Sequence, residues 1–317
     1  MSSVDVESSA RVLLVSDGSP GAPLAAQADA GICNKTGSEL HILRVPRHSK
    51  PQDSSLEVPD GGTPHQQRNS ETLAPQFDAL EPHSVAGLWT LQGDRRSVGR
   101  IERLSLQLGV GLLVIGSDQP RLLTSSLAES LARLSPCPML IVRVSVTGLE
   151  KFWPPNEMVV GVDLSPESER VASFSAALAS ALDIRLSMVF AYYRFPETMQ
   201  PQGLTAFDSD EETKWYAWHR LDRLSRQLEA KLGYRPHFRI LPGAESSAIQ
   251  QAAEEAEKPI LIAVGTRRLS RTRRALLGSV SSEVLRSANG PVLVIPPLCS
   301  EYTSQGSERG DLVAESD

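Results

Sequence analysis

The chain has 317 residues, 40% of them hydrophobic, 22% charged and 5% aromatic, with a formal net charge of −6 at pH 7. Length favours two domains of ordinary size, and the composition is that of a soluble globular protein. The acidic balance excludes a surface that attracts nucleic acid as a whole, and three scattered cysteines (Cys33, Cys137, Cys299) form neither a disulfide framework nor a zinc cluster, which suits a reducing cytosol.

Residues 1–10 (MSSVDVESSA) are polar and acidic and lack the basic start and apolar core of a signal peptide; a disordered N-terminus is expected. Arg11 to Ser16 (RVLLVS) is a nearly continuous apolar run, as expected of a strand buried on both faces of a parallel sheet. Asp17-Gly18-Ser19-Pro20 has helix-start chemistry, because Ser19 can cap and Pro20 fits the first helical position. An Ala-rich helix from Leu24 to Thr36 and a strand from Leu40 to Val45 follow. From about 46 to 75, Pro, Gly, Ser, Gln and charge dominate. Too little apolar surface is left to offset the entropy of ordering, so a mostly disordered insert is expected. A strand from Val85 to Leu91 and a helix from about Arg95 to Leu108 resume the pattern. Val110 to Ile115 is a strand ending at Gly116, followed by a helix from about Leu122 to Leu134 and a strand from Met139 to Val144.

The second half repeats this order. Met158 to Val162 is a strand, Asp163-Leu164-Ser165-Pro166 a capped turn, Glu167 to Leu182 an Ala-rich helix, and Arg185 to Tyr192 a strand. A long amphipathic helix, about Asp208 to Leu232, has no counterpart in the first half. Phe238 to Leu241 is a strand, Ser246 to Ala256 a helix and Pro259 to Val264 a strand. A basic loop, a helix from about Ser279 to Ser287 and a strand from Pro291 to Ile295 close the set. The tail 298–317 is polar and acidic and is expected to be disordered. No apolar run exceeds strand length, so no membrane span is expected and a cytoplasmic location is.

Three anchors establish the internal repeat. Asp17 and Asp163 are 146 residues apart, Gly116 and Gly265 149, and Pro138 and Pro291 153. The last step, 153 against 149, shortens the first copy's glycine loop by four residues. Alternating strands and helices predict right-handed crossovers and parallel sheets covered on both faces. Ligands on such sheets bind beyond the carboxyl ends of the strands, where Asp163 and Gly265 both fall.

The stretch from Val264 to Val280 has the order of a phosphate cradle: apolar strand, glycine, basic loop, Gly278-Ser279 and a helix start. Five arginines (267, 268, 271, 273, 274) add positive charge there. A plain reading stays open for each part. Gly265 can be only a turn, Ser279 can cap its own helix, the arginines can face water, and Asp163 can serve its turn alone.

The run 264–297 (VGTRRLSRTRRALLGSVSSEVLRSANGPVLVIPP) resembles the ATP-binding segment of universal stress proteins, whose motif is glycine, two residues, glycine, nine residues, then Gly-Ser or Gly-Thr. MVVGVDLSPESER (158–170) is similar to that family's opening strand and turn. The resemblance covers nearly all of both halves and implies a tandem universal stress protein, with domains at 11–147 and 157–297. It implies an α/β fold of two doubly wound five-stranded parallel sheets in the order 3-2-1-4-5, the adenine-nucleotide α-hydrolase-like arrangement, packed as an internal pseudo-dimer. By motif match Asp163 and Ala191 lie near the adenosine moiety of ATP. Gly265, Thr266, Gly278, Ser279, Val280 and Ser281 lie near its phosphates, with Mg2+ accompanying the nucleotide. Arg268 replaces the second glycine, where it either adds a phosphate contact or obstructs the pocket, and Leu164 replaces a common glycine. The first half departs further, with Gln119 at the second glycine and Ser125-Ser126 for Gly-Ser, and is read as a partner domain without ATP.

No GxxxxGK[ST], GxGxxG or HExxH motif occurs, the six histidines show no metal spacing, and no nucleophile motif is present. The expected function is a stress-response regulatory protein that binds ATP or another adenine nucleotide in its second domain and is read by a protein partner. An interaction module of the same fold without nucleotide, and a slow ATPase, are the alternatives. A homodimer is open.

Overall fold

The computed structural model describes residues 11–45, 65–66, 85–91, 97–117, 127–143, 153–193, 206–257, 259–266 and 277–297. The first half contains β1 (Arg11–Ser16), α1 (Ala22–Thr36), β2 (Glu39–Arg44), β3 (His65–Gln66), β4 (Val85–Thr90), α2 (Ser97–Leu108), β5 (Val110–Ser117), α3 (Leu127–Leu134) and β6 (Met139–Arg143). The second contains β7 (Glu157–Gly161), α4 (Pro166–Leu182), β8 (Arg185–Tyr192), α5 (Ala206–Leu232), β9 (His237–Pro242), α6 (Glu245–Glu255), β10 (Ile260–Gly265), α7 (Ser279–Ser287) and β11 (Val292–Ile295). Of the expected insert 46–75, His65 and Gln66 form a short antiparallel rung on β4, opposite Thr90 and Trp89. The remainder of that insert and both termini lie outside the described residues.

The sheet order is β3-β4-β2-β1-β5-β6-β11-β10-β7-β8-β9. The order 3-2-1-4-5 therefore occurs twice, as β4-β2-β1-β5-β6 and as β9-β8-β7-β10-β11, with parallel pairing throughout each set. The two sets join edge to edge. β6 and β11 run antiparallel, with Ile141 opposite Val292 and Met139 opposite Val294. Each strand covers the other's open edge, which removes two apolar edges that would otherwise be free to pair with another chain. The two five-stranded sheets that the resemblance implied thus join into one continuous sheet.

Apolar strands are needed because both sheet faces are covered. Val12 and Leu14 turn to the core beneath α1, α4 and α5, whereas Leu13 and Val15 turn to the core beneath α2, α3, α6 and α7. α1 and α4 also pack against each other across the join. Arg143, at the end of β6 and only 3% exposed, donates from Nη1 to the Ala288 carbonyl at 3.2 Å and from Nη2 to the Leu285 carbonyl of α7. A cation from the first half thereby satisfies carbonyls left open at a helix end in the second. Burial pulls its pKa down to about 10.

The two helix starts differ. Ser165 caps α4 as expected, its Oγ accepting from the Ser168 N–H at 3.2 Å, with Pro166 in the first turn. Ser19 does not cap α1, contrary to the expectation from its sequence. The Ala22 N–H bonds the Ser19 carbonyl at 2.9 Å, Gly21 is the N-cap, and the Ser19 hydroxyl is buried with no partner among the described residues. A tight turn at Pro20-Gly21 delays the helix, which starts at Ala22 where the repeat would start it at Pro20.

Candidate functional site

β8, β7 and β10 are adjacent and parallel, so their carboxyl ends share one edge. Asp163 stands two residues beyond β7, Ala191 one residue before the end of β8, and Gly265 at the end of β10. This is the edge where a doubly wound sheet holds ligands.

Gly265 pairs with Ile295 of β11, and Thr266 continues that contact through its N–H to the Ile295 carbonyl at 2.9 Å. A Cβ on Gly265 would stand 2.7 Å from Cγ2 of Val171 on α4. The glycine is required by close packing of strand on helix. The Thr266 side chain is buried, 5% exposed, and its Oγ1 has no hydrogen-bond partner among the described residues. A buried unpaired hydroxyl is costly, by about 1–3 kcal/mol.

Gly278 is the N-cap of α7, with φ −56°, ψ 158° and no side-chain cap bond. Among the described residues, a Cβ built on it meets nothing within 4 Å. Ser279 is therefore the first helical residue rather than the cap, and it is exposed. Val280 packs on the core, and the buried Ser281 donates its hydroxyl to the Gly265 carbonyl at 2.6 Å. That bond fastens the start of α7 to the end of β10 and brings Gly265, Thr266 and the segment 278–281 together. The first N–H groups of α7 lack intrahelical acceptors by construction and give this end partial positive character. Arg268 and the other four arginines lie outside the described residues.

Asp163 accepts at Oδ1 from the Ser165 N–H at 3.0 Å and from the Ser165 hydroxyl, closing the turn that caps α4. Leu164 within it has φ 63°. Its carbonyl accepts from Arg220 Nη2 at 3.0 Å. Sequence reasoning missed this contact, which spans 56 residues and has no local signature.

At the equivalent edge of the first half, backbone stands where the second half has a side chain. A Cβ on Gly116 would fall 2.4 Å from the Gly21 carbonyl carbon and 2.6 Å from the Ala22 nitrogen, so the first turn of α1 rests backbone to backbone on β5. Residues 118–126, with Gln119, Ser125 and Ser126, lie outside the described residues. A separate small cleft at the join is lined by Ser117, Ile141, Arg143, Leu277, Ser282 and Leu285. Among the described residues no group of three or more His, Cys, Asp or Glu could hold a metal ion, and no helix is long and apolar enough to cross a membrane.

The profile of the Universal stress protein family matches twice, over residues 9–143 and 156–296. A universal stress protein of Mycobacterium tuberculosis is 30% identical over 146 residues, covering 44% of this chain and 46% of that protein. One from Mycolicibacterium smegmatis is 28% identical over 141 residues (44% and 47%), so the chain spans about half the length of these mycobacterial relatives. One from Thermus aquaticus is 32% identical over 139 residues, which are 44% of this chain and 96% of that protein. Among solved structures, a universal stress protein from Archaeoglobus fulgidus superposes with a TM-score of 0.57 at 18% identity, covering 90% of this chain and 98% of that one. A protein of unknown function from Pseudomonas aeruginosa gives 0.57 at 20% identity, covering 92% and 94%. These two structures speak for the fold alone.

Proposed function

We propose, from the premise that the chain belongs to the universal stress protein family, that its second half binds an adenine nucleotide and its first half does not. The observation that carries this reading is the pairing of an uncapped helix start at Gly278 with a buried, unpartnered Thr266 hydroxyl fastened beside it. Among the described residues, both groups lack something an anion supplies: a side-chain cap for the N–H groups of α7 and an acceptor for Oγ1. In this reading the phosphates rest on Gly265, Thr266, Gly278, Ser279 and the backbone of Val280 and Ser281, and Arg268 contributes charge. The adenosine moiety lies toward Asp163 and Ala191. Magnesium enters on the triphosphate rather than on a protein site. The protein is a cytoplasmic stress-response regulator, with domains at 11–147 and 157–297, and the bound nucleotide favours one surface for a protein partner.

The exposed aromatic face of α5, with Trp215 65% and Tyr216 53% exposed, favours a second reading in which the fold docks a partner without nucleotide. Calorimetry with ATP, joined to mass spectrometry of nucleotide released from the denatured protein, separates the two. Gly278→Asp sharpens the test, because an aspartate at the N-cap supplies the missing acceptor from within the chain. The variant is expected to melt at or above the wild-type temperature and to lose ATP binding. No nucleotide released and no calorimetric binding at millimolar ATP would sink the first reading. Undiminished binding in Gly278→Asp would move the site elsewhere.

A further inference from the structure

Leu164 has the left-handed backbone (φ 63°) that Gly18 has at the equivalent place in the first half (φ 71°). A residue with a Cβ is strained there, and the strain persists only where surrounding contacts hold it. The contact in question comes from α5, the long helix expected only in the second half. Nη2 of Arg220 donates to the Leu164 carbonyl at 3.0 Å and to Oε1 of Glu169 on α4 at 3.1 Å, while Nη1 donates to the Tyr216 hydroxyl at 3.2 Å. One planar guanidinium therefore spans the strained turn, the first turn of α4 and its own helix, which a lysine could not do. The Glu169 carboxylate neutralises the cation, and Arg223 approaches the same oxygen at 3.4 Å.

We propose that Arg220 is a positioning residue for the adenine nucleotide: by gripping the Leu164 carbonyl it holds the turn that carries Asp163 at the ligand edge. The inference rests on the nucleotide reading above and adds a residue that touches no ligand. Its consequence is a population effect. If the turn relaxes for part of the time, apparent affinity falls by the fraction of chains with Asp163 in place. Glycine at 164 would hold the left-handed backbone without help.

Two variants test this, with calorimetric ATP affinity and hydrogen exchange at the Ser165 amide as readouts. That amide bonds Asp163 Oδ1 at 3.0 Å and reports the turn without nucleotide. Arg220→Met is expected to weaken ATP binding by about tenfold, the loss of one charge-assisted hydrogen bond, and to speed exchange at Ser165. Adding Leu164→Gly is expected to restore most of both, which a merely structural role for Arg220 would not produce. Equal ATP affinity in wild type and Arg220→Met overturns the role of Arg220 and leaves the nucleotide reading intact. A loss that Leu164→Gly does not rescue also overturns it. A wild-type chain that takes up no ATP overturns the nucleotide reading itself.

Discussion

Gly116, one residue before the end of β5, and Gly265, at the end of β10, are equivalent in the two halves, and neither can carry a side chain, yet what excludes it differs. At Gly116 the obstacle is backbone, the Gly21 carbonyl and the Ala22 nitrogen of α1. At Gly265 it is one methyl group of Val171. In the first half the start of α1 rests backbone to backbone on β5. In the second, α4 starts two residues earlier in the repeat, capped by Ser165, and among the described residues the strand end meets the Val171 side chain and the start of α7. The same glycine thus marks a closed joint in one copy and a candidate cradle in the other.

The largest expected effect comes from adding a methyl group at these positions. Gly116→Ala forces two backbones apart and is expected to destabilise by about 3 kcal/mol, the upper end of overpacking costs. Gly265→Ala displaces one side-chain methyl and is expected to cost about 1 kcal/mol. Urea unfolding midpoints measure both. Equal losses would break the distinction between a closed and an open strand end.

Titration separates the halves next. Asp29 of α1 is fully buried, its Oδ1 facing the Cys33 thiol at 3.9 Å and its Oδ2 without a partner. Burial holds its pKa well above the ordinary 3.8. The equivalent residue in α4, 146 positions on, is Ser175, which does not titrate. Because the folded chain keeps the Asp29 proton after the unfolded chain has released its own, the folded state binds more protons. Stability from this group is full below about pH 4 and falls as pH rises toward the folded pKa, by up to about 1.4 kcal/mol per pH unit. Asp29→Asn should therefore gain on the wild type across that range, whereas Ser175→Ala should leave the pH profile unchanged. Unfolding free energies from pH 4 to 8 decide it: parallel profiles for wild type and Asp29→Asn would show that Asp29 is ionised in the fold.

Strands and most helices were legible because burial on both faces demands unbroken apolar runs, as in RVLLVS and LIAV, and that demand is local. The order of the strands came with the family resemblance. The joining of β6 to β11 was not legible, since Met139 to Arg143 looks like any other buried strand and its partner lies in the other copy. The candidate site was legible as a spacing of glycines, but not as a set of contacts. Nothing near Leu164 in sequence announces Arg220, and nothing in Ser281 announces that its hydroxyl faces the Gly265 carbonyl rather than a ligand. These depend on how helices far apart in the chain settle on one sheet edge. Arg268, on which the sequence placed the most weight, lies outside the described residues.

The smallest effect is the sharpest, because it turns on two serines that the sequence presents as equivalent. Ser165 accepts from the Ser168 N–H at 3.2 Å and donates to Asp163, so it satisfies a helix donor and closes its turn. Ser165→Ala should cost about 1 kcal/mol, as loss of an N-cap does. Ser19 stands in the same Asp-x-Ser-Pro pattern and keeps the backbone half of the turn, its N–H bonding Asp17 Oδ1 at 3.0 Å. Its hydroxyl caps nothing and is buried without a partner. Alanine at 19 removes a polar atom that was stripped of water and given nothing in return, so Ser19→Ala should be neutral or stabilising, by up to about 1 kcal/mol. The two substitutions are identical on paper and are expected to have opposite signs. Paired thermal melts of both variants read the difference directly. A loss at Ser19 as large as the loss at Ser165 would mean that α1 is capped like α4, and that the first half's strand end is open after all.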